Sequence, residues 1–241
     1  MKLSDQISPH AWNDSFAEFG RVHIPDILSE ESAQQIYDCL SQQEKWNLVF
    51  QTNNKHTDVD ADSLLLLEEG QLADFHKIVY AQAQLGFQYL NKNIPIYDVY
   101  HKNLMPNHFF NTIFEFLNSE EFLDFCRVLT TEPEIGFADA QATCYSPGHF
   151  LNHHDDNVYG KDRVAAYVLN MTPVWDRNWG GALQFFDSDG HVEKAYMPKF
   201  NALNVFKVPK SHSVSYVTPF AGASRYSITG WLRAGQDPLK S

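Results

Sequence analysis

Apolar residues recur at two different periods along the 241-residue chain. Between about Ser29 and Thr130 the period is helical. In SEESAQQIYDCLSQQ, Ser29 stands as an N-cap ahead of Glu30 and Glu31. Ala33, Ile36, Tyr37 and Leu40 follow at i, i+3, i+4 and i+7, the spacing of one helix face. QLADFHKIVYAQAQLGFQYL places Leu72, Phe75, Ile78 and Val79 on one side and predicts a second helix. MPNHFFNTIFEFLN and SEEFLDFCRVL predict two shorter ones, with Ser119 capping the latter. Ile94-Pro95-Ile96 interrupts the helical pattern. Phe-rich faces at this spacing predict helices packed on a sheet.

From about Ala138 the pattern changes to short strands: DAQATCYS, RVAAYVLNMT, GALQFFD, ALNVFKV, HSVSYVT and RYSITGWLR. Gly, Pro, Asn, Asp or Ser punctuates most of the gaps between them. Many short strands at such spacing predict an antiparallel sandwich or barrel of the jelly-roll kind. FGRVHIPDIL and KWNLVF add candidate strands near the N-terminus. The expectation is one domain over residues 1–241, mainly β with flanking helices. Its helix-rich part spans about 1–137 and its β core about 138–235.

Composition narrows the function. The net charge of −12, from 18 Lys+Arg against 30 Asp+Glu, repels phosphate backbones and anionic lipid. No basic stripe offsets it, so neither nucleic acid nor membrane is expected as a partner. Three widely spaced cysteines, Cys39, Cys126 and Cys144, form no disulfide framework or zinc-finger pattern. The first residues show no apolar signal segment, and SLLLLEEG is too short an apolar run to span a bilayer. The expected location is the cytoplasm.

The chemistry concentrates in FLNHHDDNVYGKDR, where His153, His154, Asp155 and Asp156 are adjacent. On a strand, residues i and i+2 point the same way, so either His153 with Asp155 or His154 with Asp156 offers one nitrogen and one oxygen to a metal. A facial triad needs a second histidine. His191 lies in the turn-like DSDGHVE, whereas His212 opens a predicted strand. Thirteen residues after His212, Arg225, Ser227 and Thr229 share one face of RYSITGWL, hemmed by Ile228 and Trp231. A guanidinium flanked by hydroxyls is a fork for a carboxylate.

These segments, in this order, resemble the iron(II)- and 2-oxoglutarate-dependent oxygenases, in their prolyl-hydroxylase-like branch. YSPGHFLNHHDD, RVAAYVLNMTPVWDRNWGGALQFFD, PKFNALNVFKV, SHSV and SRYSITGWLR carry the resemblance over about Ala142 to Arg233, and IPDILSEESAQQI adds to it more weakly. The resemblance implies a double-stranded β-helix of jelly-roll or cupin-like build with iron inside one end. It selects His154, Asp156 and His212 as metal ligands, with no catalytic residue beyond them. It implies that Arg225, with Ser227 or Thr229, takes the far carboxylate of 2-oxoglutarate, and that Tyr145 lines the same pocket. Asn170 stands near a position where some relatives carry a tyrosine that bonds the co-substrate. Fe(II), 2-oxoglutarate and ascorbate are the implied cofactors, co-substrate and accessory reductant. A carboxylate at Asp156 favours hydroxylation over halogenation.

The implied substrate is a prolyl residue of a protein or peptide, with ribosomal proteins or translation factors as candidate partners. A free amino acid or small metabolite is the alternative. A non-catalytic cupin-type metal protein and a zinc hydrolase are weaker rivals, because neither needs an anion clamp beside the metal. TNNKHTDVDADS, residues 52–63, reads as a polar surface loop or as a lid over a substrate groove.

Overall fold

The computed structural model describes residues 1–240. Its first helix, α1 (Asn13–Phe19), ends at Gly20, which adopts φ 60°, the left-handed conformation that glycine accepts without a Cβ clash. The chain then enters β1 (Arg21–Pro25). α2 (Glu30–Ser41) starts where predicted: the Ser29 hydroxyl accepts from the Ser32 N–H, and Ala33, Ile36 and Leu40 are fully buried.

Between α2 and residue 100 the structure departs from the sequence pattern. β2 (Asn47–Thr52) turns through Asn53 and Asn54, at φ 52° and 60°, into β3 (Lys55–Asp60). Two successive positive-φ residues make the two-residue hairpin turn for which asparagine is suited. Residues 52–63 are therefore a β-hairpin arm and the turn after it, not a loop. α3 (Glu69–Leu85) buries Val79, but Ile78 faces solvent at 61% exposure. The predicted helix over residues 71–90 stops at Gly86. Tyr89–Ile94 instead form β4. Tertiary pairing overrides the helical period here. The Gln88 side chain accepts from the Gln51 N–H and donates to the Gln51 carbonyl, while its own carbonyl accepts from the Asn152 N–H.

α4 (Ile96–His101), α5 (Phe109–Leu117) and α6 (Glu120–Thr130) pack Phe110, Ile113, Leu117, Phe122 and Leu129 into the main core. Ser119 caps α6 through the Phe122 N–H. The remaining strands are β5 (Ile135–Ala138), β6 (Gln141–Tyr145), β7 (Phe150–His154), β8 (Arg163–Asn170), β9 (Leu183–Phe186), β10 (Val192–Tyr196), β11 (Ala202–Lys207), β12 (His212–Val214) and β13 (Arg225–Ala234).

The pairings make one antiparallel 13-stranded sheet in the order β1-β11-β8-β13-β6-β4-β7-β12-β9-β10, with β2 also on β4, β3 on β2 and β5 on β13. β4 is the fold line of a nearly closed barrel: Tyr89 and Leu90 pair with β7, whereas Lys92, Asn93 and Ile94 pair with β6. The helix-rich half thus supplies five of the strands, β1 to β5. This is the double-stranded β-helix architecture, with the helices covering one side. Among the described residues no helix is long and apolar enough to cross a membrane.

Candidate functional site

His154 is the last residue of β7 and His212 the first of β12, and the two are register partners. Strand pairing therefore sets the imidazoles side by side, with ring centroids 4.0 Å apart. Each ring is fixed through Nδ1 to a backbone carbonyl, at 2.9 Å from Asn152 and 2.7 Å from Lys210. A carbonyl only accepts, so Nδ1 carries the proton. In the neutral ring Nε2 is then a free lone pair, the form in which histidine ligates metals. Both Nε2 atoms face Asp156, His154 at 3.4 Å from Oδ1 and His212 at 3.3 Å from Oδ2. The three donor atoms lie within 4.8 Å of one another. Three converging electron-pair donors form a pocket for a metal ion, and two nitrogens with one carboxylate suit Fe(II).

Asp156 does not reach this point by strand alternation. It lies beyond β7 and adopts φ 64°, so a left-handed turn, and not the pleat, swings its carboxylate back beside His154. Its side chain is 8% exposed. Burial alone would raise its pKa, but whenever the two imidazoles are protonated at Nε2 as well, their hydrogen bonds and charges outweigh burial and hold it well below the carboxylate range.

The other register does not assemble. His153 is exposed and its Nε2 lies 2.7 Å from the Ser211 hydroxyl, while the Asp155 carboxylate accepts from the Asn157 N–H. His191 is exposed in the β9–β10 turn, where its N–H donates to Asp187.

The three side chains open onto a cavity of about 470 Å³. Phe206 and Phe185 wall His212 at 4.6 and 6.3 Å, and Phe87 lies 5.3 Å from His154. Arg225, 2% exposed, lines this cavity with its guanidinium 5.1 Å over the Tyr145 ring. Among the described residues it makes no ion pair, and its buried Nε has no hydrogen-bond partner. Burial pulls its pKa below the usual value and pushes the Tyr145 phenol up to about 12, so Tyr145 stays a neutral O–H donor at neutral pH. A buried cation with no protein anion is costly unless a ligand supplies one. That fits the far carboxylate of a dicarboxylic acid.

Thr229 also lines the cavity. Ser227 does not: it is fully buried and its hydroxyl lies 2.8 Å from that of Thr143, its partner on β6, which lines the cavity in its place. Asn170 is likewise turned away. Its amide donates to the Val168 and Ala202 carbonyls, and Val168 supplies the cavity wall from β8. Ile228 sits in the main core behind β13, whereas Trp231 faces the cavity. Sequence reasoning did not pick out Thr143, although it lies two residues before Tyr145 and shares its face. Arg163, Asn91, Asn93 and His56 also line the cavity. They come from segments distant in sequence, and no local motif marks them.

Comparison with known proteins places this geometry. The family model described as "2OG-Fe(II) oxygenase superfamily" matches residues 140–233. The mouse protein "Prolyl 3-hydroxylase OGFOD1" is 41% identical over 108 residues, 42% of this chain but 19% of the mouse protein's length. A Pseudomonas putida prolyl-4-hydroxylase crystal structure superposes with TM-score 0.60 at 17% identity, covering 95% of this chain and 100% of that one. A Trichoplax adhaerens prolyl hydroxylase, in complex with a hypoxia inducible factor peptide fragment, gives TM-score 0.63 at 15% identity over 94% of this chain and 89% of that one. The matched segment, residues 140–233, contains all three converging His–Asp–His donors, so this part of the chain is similar to the 2OG-Fe(II) oxygenase superfamily, and the strand order is that of the superposed structures' fold.

Proposed function

We propose that this chain is an Fe(II)- and 2-oxoglutarate-dependent dioxygenase that hydroxylates a prolyl residue of a polypeptide. The observation that carries the reading is Arg225, a buried guanidinium without a counter-anion among the described residues, in the same cavity as three converging metal donors. His154, Asp156 and His212 would hold Fe(II). Arg225 would take the far carboxylate of 2-oxoglutarate, with Thr229 and Thr143 hydroxyls and the Tyr145 phenol as neighbours. Bound together, iron and 2-oxoglutarate supply the oxidative chemistry, in which the co-substrate leaves as succinate and CO₂. The chain's part is to position and shield. The backbone carbonyls of Asn152 and Lys210 keep both rings in the Nε2-ligating tautomer. Phe185 and Phe206, both buried, give His212 an apolar wall.

The mouse relative is named a prolyl 3-hydroxylase, which favours C3 of the ring as the position attacked. The net charge of −12 would attract a basic partner, which fits ribosomal proteins or translation factors. We place the activity in the cytoplasm, where three free thiols persist. The test is incubation with Fe(II), 2-oxoglutarate, ascorbate and a panel of proline-containing peptides and ribosomal extracts. Succinate formation together with a peptide mass gain of one oxygen is expected, and fragmentation fixes the residue and ring position. Turnover with free proline and none with any polypeptide would refute the substrate assignment.

A further inference from the structure

We infer that Arg163 is a positioning residue that holds Asp156 in its ligating conformation, an inference that rests on reading His154, Asp156 and His212 as the metal site. Asp156 is a non-glycine residue at φ 64°, a conformation that persists only where surroundings enforce it. The following six residues, Asn157 to Asp162, are all exposed, so no packing from that excursion fixes it. On the upstream side, the Lys210 N–H donates to the Asp155 carbonyl. On the downstream side, Arg163 is where the excursion returns to the barrel as the first residue of β8. Its Nη1 donates to the Asp156 carbonyl at 2.9 Å, and the same nitrogen lies 4.0 Å from Asp156 Oδ1. One atom thus pins the peptide and flanks the carboxylate.

Arg163 is itself held. Its guanidinium lies 3.5 Å from the centre of the Trp231 ring, a stacked cation–π contact. The Trp231 backbone N–H donates to Asp139 Oδ1 at 2.7 Å. Asp139 Oδ2 lies 3.9 Å from Arg233, which is paired across the sheet with Arg163. A rigid chain of contacts therefore runs from the β5–β6 corner, through β13, to the metal carboxylate. This cation also stands beside a cation site. Coulomb's law alone makes its removal tighten metal binding, whereas loss of positioning loosens it, so the sign of the effect separates the two.

The experiment titrates Co(II) into metal-free protein without 2-oxoglutarate, following the ligand-field absorption bands, for wild type, Arg163→Met and Arg163→Lys. Thermal unfolding of each metal-free protein is recorded alongside. Methionine keeps an apolar stem over Trp231 but removes the donor, and lysine restores one donor at similar reach. Partners behind metal ligands typically change affinity by roughly 10–100-fold, and that loss is expected for Arg163→Met, with Arg163→Lys between it and wild type. Arg163→Met binding Co(II) as tightly as wild type, or more tightly, overturns the inference. Should Arg163→Met fail to fold, Arg163→Lys decides: weaker binding with altered bands supports positioning, and wild-type affinity with unchanged bands overturns it. Wild type that does not bind Co(II) stoichiometrically overturns the metal-site reading itself, and this inference with it.

Discussion

Replacing Arg225 by methionine should move stability and ligand binding in opposite directions. The residue is 2% exposed and has no counter-anion among the described residues, so the ligand-free protein carries a desolvated charge. Exchanging buried ionic groups for apolar ones of similar volume often stabilises by about 1–4 kcal/mol. A chain of this size gains roughly 2–4 °C in Tm per kcal/mol. Ligand-free Arg225→Met should therefore melt several degrees above wild type. The cost appears on addition of 2-oxoglutarate. Removing one partner of a buried pair typically costs about 3–5 kcal/mol, and about 1.4 kcal/mol is tenfold, so affinity should fall by two to three orders of magnitude. Calorimetric titration of 2-oxoglutarate into Co(II)-loaded protein, with parallel thermal scans, measures both. Co(II) affinity should be unchanged. Unaltered 2-oxoglutarate binding would place the anion clamp elsewhere. A lower Tm in the ligand-free variant would refute the claim that this charge is uncompensated.

Other substitutions test the remaining geometry. His154→Ala, Asp156→Ala and His212→Ala should each abolish stoichiometric Co(II) binding, whereas His153→Ala and His191→Ala, at exposed positions, should leave it intact. Burial holds His149 at a pKa of about 4, with the Ser146 N–H donating to its Nδ1. Because its folded pKa lies below the unfolded value, its contribution is complete above pH ~6.5 and is lost as pH falls toward 4, by about 3 kcal/mol at most. Asp139, raised to about 6 by burial, acts with the opposite sign over part of that window. The readout is therefore the difference in unfolding free energy between wild type and His149→Gln, and a difference independent of pH would refute it. Gly230→Ala should unfold the protein or empty the cavity of ligand, since a Cβ there would collide with the Asp139 carbonyl and press on the Tyr167 hydroxyl. A wild-type melting curve with intact 2-oxoglutarate binding would contradict that.

β6, β8, β9, β11, β12 and β13 and the caps at Ser29 and Ser119 were legible because each is a local property, a period of two or a hydroxyl ahead of a helix. The stretch around Gln88 was not, because its strand identity comes from Gln51 and Asn152, far away in sequence. The two-residue spacing allowed His153 with Asp155 as well as His154 with Asp156, and only the family resemblance chose the latter; the structure reaches that arrangement by a positive φ that no pattern of side chains announces. Arg225 and Thr229 shared a predicted face and do line the cavity. Ser227 shares the face too, but its hydroxyl is engaged by a strand that only three-dimensional pairing brings alongside.

The position of β13 has a consequence for how the molecule is made. This strand lies between β6 and β8, although it is the last strand along the chain. The ladders that join β6 to β8 through β13 cannot close until residue 234 has emerged from the ribosome. β4, waiting between β6 and β7, and β1, waiting for β11, are synthesised long before their partners. Such high contact order predicts slow folding, with exposed strand edges in the interim. The segment 140–233 alone, lacking β1 and β4, should not fold as an isolated fragment, and nascent chains stalled before Arg225 should remain protease-sensitive along their whole length.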